Sequence, residues 1–119
     1  MGASMRRATS QSLAASGQWA IASPHDLASE LGAEVLRSGG NAVDAAIAAA
    51  AALTVLLPNQ CALGGDLVAM VGLPDGTTHV LNGSGRSPAA VDAAGLRTAH
   101  LHLPVDGALP VTVPGVVDA

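Results

Sequence analysis

The sequence predicts an α+β fold, and three observations carry that reading. Two stretches of helical character, about His25 to Ser38 and Ala42 to Leu57, are joined by Gly39-Gly40. Two short apolar runs follow, Asp66 to Leu73 and Thr78 to Asn82, separated by Pro74-Asp75-Gly76-Thr77. The second helical stretch is nearly all alanine, so another layer of protein has to press closely against it. The order helix, helix, strand, strand predicts Ala-rich helices lying on a mostly antiparallel sheet.

Residues 1–17 are rich in Ser and Ala, lack periodicity and are read as a disordered tail, leaving 18–119 as the organised part. Gln18 to Ala22, with Trp19 and Ile21, reads as a short strand. Ser23-Pro24 reads as a helix start, Ser at the cap and Pro at the first helical position. Leu27, Leu31, Val35 and Leu36 recur at helical spacing and form the expected core stripe. Asp26, Glu30 and Glu34 lie opposite, and Arg37 suits the negative end of the helix dipole. Gly39-Gly40 ends this helix, because glycine reaches a left-handed cap at little cost.

Asn41 caps the next helix, which is apolar around most of its circumference and is expected to be buried. Pro58 stops it. Asp66 to Leu73 fits a buried strand, Pro74 to Thr77 a turn, and Thr78 to Asn82 the returning strand of a hairpin. Gly83-Ser84-Gly85 is a loop, and a short helix or turn is expected within Pro88 to Ala99. Val113-Pro114-Gly115 is a sharp turn.

Composition bounds the function. The 119 residues include one Trp and no Tyr or Phe, so the largest contributors to a core are missing. The net charge is −4 and the five basic residues are all Arg, without a basic stripe, which argues against a nucleic-acid partner. The N-terminus has no apolar segment behind Arg6-Arg7, so it does not read as a secretory signal. The apolar run Ala45 to Leu57 is shorter than the ~20 residues that span a bilayer. A cytoplasmic location with no membrane contact is the expectation. Cys61 is the lone cysteine and reads as a small hydrophobe.

Several residues invite a chemical reading. Gly76-Thr77 next to Thr78-His79 resembles a self-cleavage site that would release an N-terminal Thr nucleophile. Turn chemistry between two apolar runs is the preferred explanation. Gly83-Ser84-Gly85-Arg86-Ser87 resembles the end of a phosphate loop, but Val80 and Arg86 stand where that pattern has Gly and Lys. A guanidinium at Arg86 could grip a carboxylate with two hydrogen bonds; from spacing alone a solvated or structural ion pair is the preferred reading. Asp44 is assigned either to a pair with Arg37 or to backbone capping. His25, His79, His100 and His102 show no metal-ligand spacing.

Ala22-Ser23-Pro24-His25, Gly39-Gly40-Asn41-Ala42-Val43-Asp44-Ala45-Ala46, Gly64-Gly65-Asp66, Asn82-Gly83, Arg86-Ser87-Pro88 and Val113-Pro114-Gly115 occur in this order. Together they resemble the N-terminal region of the γ-glutamyltransferase (γ-glutamyltranspeptidase) family, over about Trp19 to Ala119. The resemblance implies a four-layer αββα sandwich of the N-terminal-nucleophile hydrolase type, of which two helices and a hairpin form an incomplete part. It implies a zymogen several times longer that cleaves itself. The new N-terminal Thr then attacks a γ-glutamyl amide such as glutathione, and water or an amino acid accepts the acyl group.

No metal or organic cofactor is implied. The partners implied are the rest of the large subunit and a small subunit carrying the Thr. No catalytic residue is then expected in this chain, and the chain alone is expected to be inactive. The family's substrate-carboxylate Arg stands four residues before the Pro of its motif. Here that place is Ser84, and Arg86 lies two residues later. These two are the candidate substrate-binding residues. The Gly-Ser-Gly-Arg version resembles relatives that act as amidohydrolases or acylases on other acyl groups. A non-catalytic accessory module is the remaining reading.

Overall fold

The computed structural model describes residues 12–119, and the element order is β1 (Ser12–Ala15), β2 (Ala20–Ser23), α1 (Asp26–Arg37), α2 (Ala42–Leu56), β3 (Leu67–Gly72), β4 (Thr78–Gly83) and α3 (Ala93–Ala99). The α+β expectation holds. The strands form two separate antiparallel hairpins, β1–β2 and β3–β4. The chain divides into two compact units, 1–62 and 63–119.

In the first unit, β1 corrects the reading of 1–17 as a disordered tail. Ser12 to Ala15 pair in register with Ser23 to Ala20, and the connection is closed by the Ser16 N–H donating to the Trp19 carbonyl at 2.8 Å. The rest of that tail, 1–11, lies outside the described residues. Helix α1 begins two residues later than Ser23-Pro24 suggested. His25 is the N-cap, its Nδ1 accepting from the Leu27 N–H at 3.2 Å. Ser23 instead ends β2, and its hydroxyl lies 2.8 Å from that of buried Ser29.

Both ends of the α1–α2 connection are satisfied locally. Gly40 N–H donates to Val35 and Gly39 N–H to Leu36, with Gly39 at φ +93°, a Schellman motif that closes α1. Asn41 Oδ1 accepts from Val43 and Asp44, and Asp44 Oδ2 accepts from Asn41 N–H at 3.0 Å, a reciprocal capping box. Asp44 is therefore a cap. Arg37 pairs with Glu30 at 2.7 Å and with Glu34 on its own helix. The hydrogen bonds that Arg37 donates to these carboxylates, that to Glu30 foremost, raise its pKa.

The core of this unit differs from the expected leucine stripe. Leu27 and Leu31 are more than half exposed; the buried face of α1 is Ala28, Ser29, Gly32 and Ala33. On α2 the buried residues are Ala45 and Ala49. A Cβ on Gly32 would lie 3.0 Å from the Ala45 carbonyl, so the backbones approach as closely as the residue types allow. Ile47 and Val55 stay exposed, so α2 is not the fully buried helix its composition suggested.

In the second unit β3 pairs with β4 from Leu67↔Gly83 to Gly72↔Thr78. The intervening turn is closed by Gly76 N–H to the Leu73 carbonyl, with Gly76 at φ +85°. Thr77 donates its N–H to Asp75 Oδ1 at 2.8 Å, so its place is that of a turn residue. The expected burial of β3 holds on one side only. Leu67, Ala69 and Val71 are half-buried, whereas Val68 and Met70 are exposed beside Val80 of β4. Asp92 caps α3 through the Ala94 and Gly95 N–H groups.

The Asp75 cap gives a pH signature. The Thr77 N–H holds the Asp75 carboxyl below its ordinary value. A depressed folded value means the stabilisation is complete above the ordinary aspartate range and is lost as pH falls through the lowered one. Carbon-detected titration of Asp75 is expected to show a midpoint below the ordinary aspartate value, with the Thr77 amide resonance moving in step. Asp75→Asn is expected to abolish that movement.

Candidate functional site

The site is assembled from three strings distant in sequence. The strand end Gly83 leads into an irregular loop, 84–88. Asn82 Oδ1 turns the loop by accepting from the Ser84 N–H at 3.2 Å. Gly85 follows at φ +67°. Here the conformation and the space both require glycine, since a Cβ would stand 2.2 Å from the Val113 carbonyl. The segment 112–116 runs against this loop. Val113 N–H donates to the Arg86 carbonyl at 2.9 Å, and Gly115 is buried. Gly115 and Val116 N–H both donate to the Gly65 carbonyl at 3.1 Å, and Asp66 Oδ1 accepts from the Thr112 hydroxyl at 3.2 Å.

An open cleft of about 670 Å³ lies between this loop and the Val113-Pro114-Gly115 string. Ser84 and Arg86, the two candidates from sequence, both line it, together with Asn82, Pro114 and Asp118. Ser84 is half-buried and Arg86 is exposed. An exposed guanidinium beside glycine backbone is suited to taking a carboxylate by two parallel N–H donors.

The other candidates stay apart. His25 caps a helix, His79 lies on β4 and His100 follows α3. Among the described residues no three His, Cys, Asp or Glu side chains form a group able to hold a metal ion. Cys61 is half-buried and free. No helix among the described residues is long and apolar enough to cross a membrane.

Sequence reasoning missed the Asp66–Thr112 hydrogen bond and the place of Asp118 at the cleft. Gly64-Gly65-Asp66 and Val113-Pro114-Gly115 were visible as strings, but a string carries no sign of which distant string it meets.

A family model described as gamma-glutamyltranspeptidase matches residues 28–119. The chain belongs to the gamma-glutamyltranspeptidase family. Among curated proteins, it is similar to the glutathione hydrolase-like YwrD proenzyme of Bacillus subtilis, at 41% identity over 102 residues, covering 83% of this chain and 19% of that protein. It is equally similar to the oxamate amidohydrolase proenzyme of Klebsiella pneumoniae, at 41% over 104 residues, 81% of this chain and 19% of that protein. Among solved structures, gamma-glutamyltranspeptidase of Helicobacter pylori superposes with a TM-score of 0.71 at 34% identity, covering 92% of this chain and 31% of that one. The chain thus spans about a fifth of the length of the curated relatives it matches.

Proposed function

We propose that this chain is the N-terminal part of the large subunit of a proenzyme that hydrolyses or transfers γ-glutamyl or related acyl amides. The observation that carries the reading is the cleft between the loop that follows β4 and the Val113-Pro114-Gly115 string, which Ser84 and Arg86 both line. Arg86 binds the carboxylate of the acyl donor and so holds the scissile amide in place; Ser84 forms the neighbouring wall. The nucleophile is a Thr from a downstream segment, freed by self-cleavage. Its hydroxyl oxygen adds to the amide carbonyl while its own α-amine takes the hydroxyl proton and delivers it to the leaving nitrogen. The C–N bond breaks and a Thr ester forms. Water, or an amino acid amine, then attacks the ester and releases the acyl group.

In that proenzyme α1, α2 and the β3–β4 hairpin belong to an αββα sandwich. The likeness to the Helicobacter pylori enzyme supports this placement, as do the uncovered apolar residues of both units. A second reading, an amidohydrolase acting on a smaller acyl group, is favoured by Ser84 at the place where the family carries its Arg. Similarity to oxamate amidohydrolase adds to it.

The test compares this chain with the complete precursor on glutathione, a chromogenic γ-glutamyl anilide and oxamate. The chain alone is expected to give no turnover and the self-cleaved precursor steady turnover. In the precursor Arg86→Ala is expected to raise KM roughly 10–100-fold, the scale of a charge-assisted pair. Turnover by the chain alone, or an unchanged KM in the variant, overturns the assignment. Oxamate consumed while the glutamyl amides are spared would select the second reading.

A further inference from the structure

Among the described residues, the hydrogen bonds that tie 65–66, 84–86 and 112–116 to one another run between backbone groups except at one point, where a side chain reaches across. Asp66 does not line the cleft, yet its Oδ1 accepts from the hydroxyl of Thr112, 46 residues away, at 3.2 Å. The residue after Thr112 is Val113, whose N–H donates to the Arg86 carbonyl at 2.9 Å. Thr112 also flanks the loop directly, since a Cβ on Gly85 would lie 3.0 Å from its Oγ1. On the other side of Pro114, Gly115 and Val116 bond the carbonyl of Gly65, the neighbour of Asp66. Residues 65–66 therefore hold the 112–116 segment at two places, and that segment holds the main chain of Arg86.

We infer that Asp66 is a positioning residue for Arg86, acting through Thr112 and Val113 to set where the guanidinium stands and hence which carboxylate-bearing amides it accepts. This rests on the reading of Arg86 as the carboxylate anchor. The backbone ties hold the segment against the hairpin; the Asp66–Thr112 hydrogen bond fixes its position along the Gly85–Arg86 backbone. A side-chain tie is also the part that substitution can tune without breaking the framework.

The experiment uses the complete proenzyme. Asp66→Ala and Thr112→Val each remove the hydrogen bond; Asp66→Asn and Thr112→Ser keep an acceptor and a hydroxyl. The removing variants are expected to raise KM for the carboxylate-bearing amide roughly 2–10-fold with kcat within twofold, the scale of one hydrogen bond. The conserving variants are expected to restore KM. In an Arg86→Ala background Asp66→Ala is expected to add nothing. An unchanged KM in the removing variants overturns the inference, as does an effect that persists undiminished without Arg86. It is equally overturned if both removing variants fail to self-cleave while the conserving ones succeed, because the tie would then be purely structural. If Arg86→Ala alone leaves KM unchanged, the reading of the anchor fails instead, and the two failures are told apart.

Discussion

Gly115→Ala is expected to release the framework of the cleft. The new Cβ would stand 2.2 Å from the Gly83 carbonyl oxygen and 2.5 Å from the Gly85 nitrogen. Both are backbone atoms, so no side chain can rotate away and the segment itself has to move. Overpacking of this kind costs about 1–3 kcal/mol, sometimes more. The movement also lengthens the bonds from Gly115 and Val116 to Gly65 and that from Val113 to Arg86. Amide exchange at Val113, Gly115 and Val116 is expected to quicken roughly 10–100-fold. Gly72→Ala is the control: a Cβ there meets nothing within 4 Å, and alanine suits a strand at least as well as glycine. Equal exchange in the two variants would mean that Gly115 does not make the close approach described.

The second large effect concerns the chain by itself. Among the described residues, the fully buried side chains are Ala28, Ala33, Ala45, Ala49 and Ser29. Meanwhile Val55, Met70 and Val68 are 79%, 74% and 72% exposed. Burying a Val or Met side chain contributes about 1.5–3 kcal/mol, whereas fixing the backbone of one residue costs about 1–2 kcal/mol. Four alanines do little against that cost. The isolated chain is therefore expected to melt broadly, to bind a hydrophobic dye such as ANS, and to self-associate. Co-production with the downstream remainder of a precursor is expected to give a sharp transition and to suppress dye binding. Val68→Thr with Met70→Thr and Val80→Thr is expected to reduce dye binding by the isolated chain while keeping the hairpin, since threonine suits a strand. A compact monomer with a sharp melt and no dye binding would contradict this account.

The elements whose cause is local were legible in the sequence. Asn41 with Asp44, Gly39 with Gly40, and Pro74-Asp75-Gly76 each carry their own hydrogen bonds, so residue type alone predicts the geometry. The start of α1 was misplaced because Ser23 and His25 both offer a cap acceptor. The Ser23 hydroxyl meets the backbone of His25 and the buried Ser29 hydroxyl, and it is His25 Nδ1 that takes the Leu27 N–H as the cap. The core stripe was misread for a related reason. Periodicity marks the leucines, but the crossing of α1 and α2 is set by how near two backbones can come, which favours Gly32 and its alanine neighbours. Strand β1 was invisible because Ser12 to Ala15 lack a strand pattern and gain their conformation from pairing with β2. At the cleft, Ser84 and Arg86 were named from a motif. The partners that hold them, Asp66, Thr112 and Gly115, depend on contacts between distant segments that no local pattern encodes.

The self-sufficient joint between α1 and α2 bears on synthesis. The carbonyls of Glu34, Val35 and Leu36 and the N–H groups of Asn41, Val43 and Asp44 all find their partners within residues 34–44. The corner can therefore form as soon as this stretch leaves the ribosome, ahead of anything translated later. Its narrow alanine seam closes early and leaves Leu27, Leu31 and Ile47 facing outward. A nascent chain of this kind presents a prepared template to later segments, and until they arrive those side chains are what a chaperone would grip.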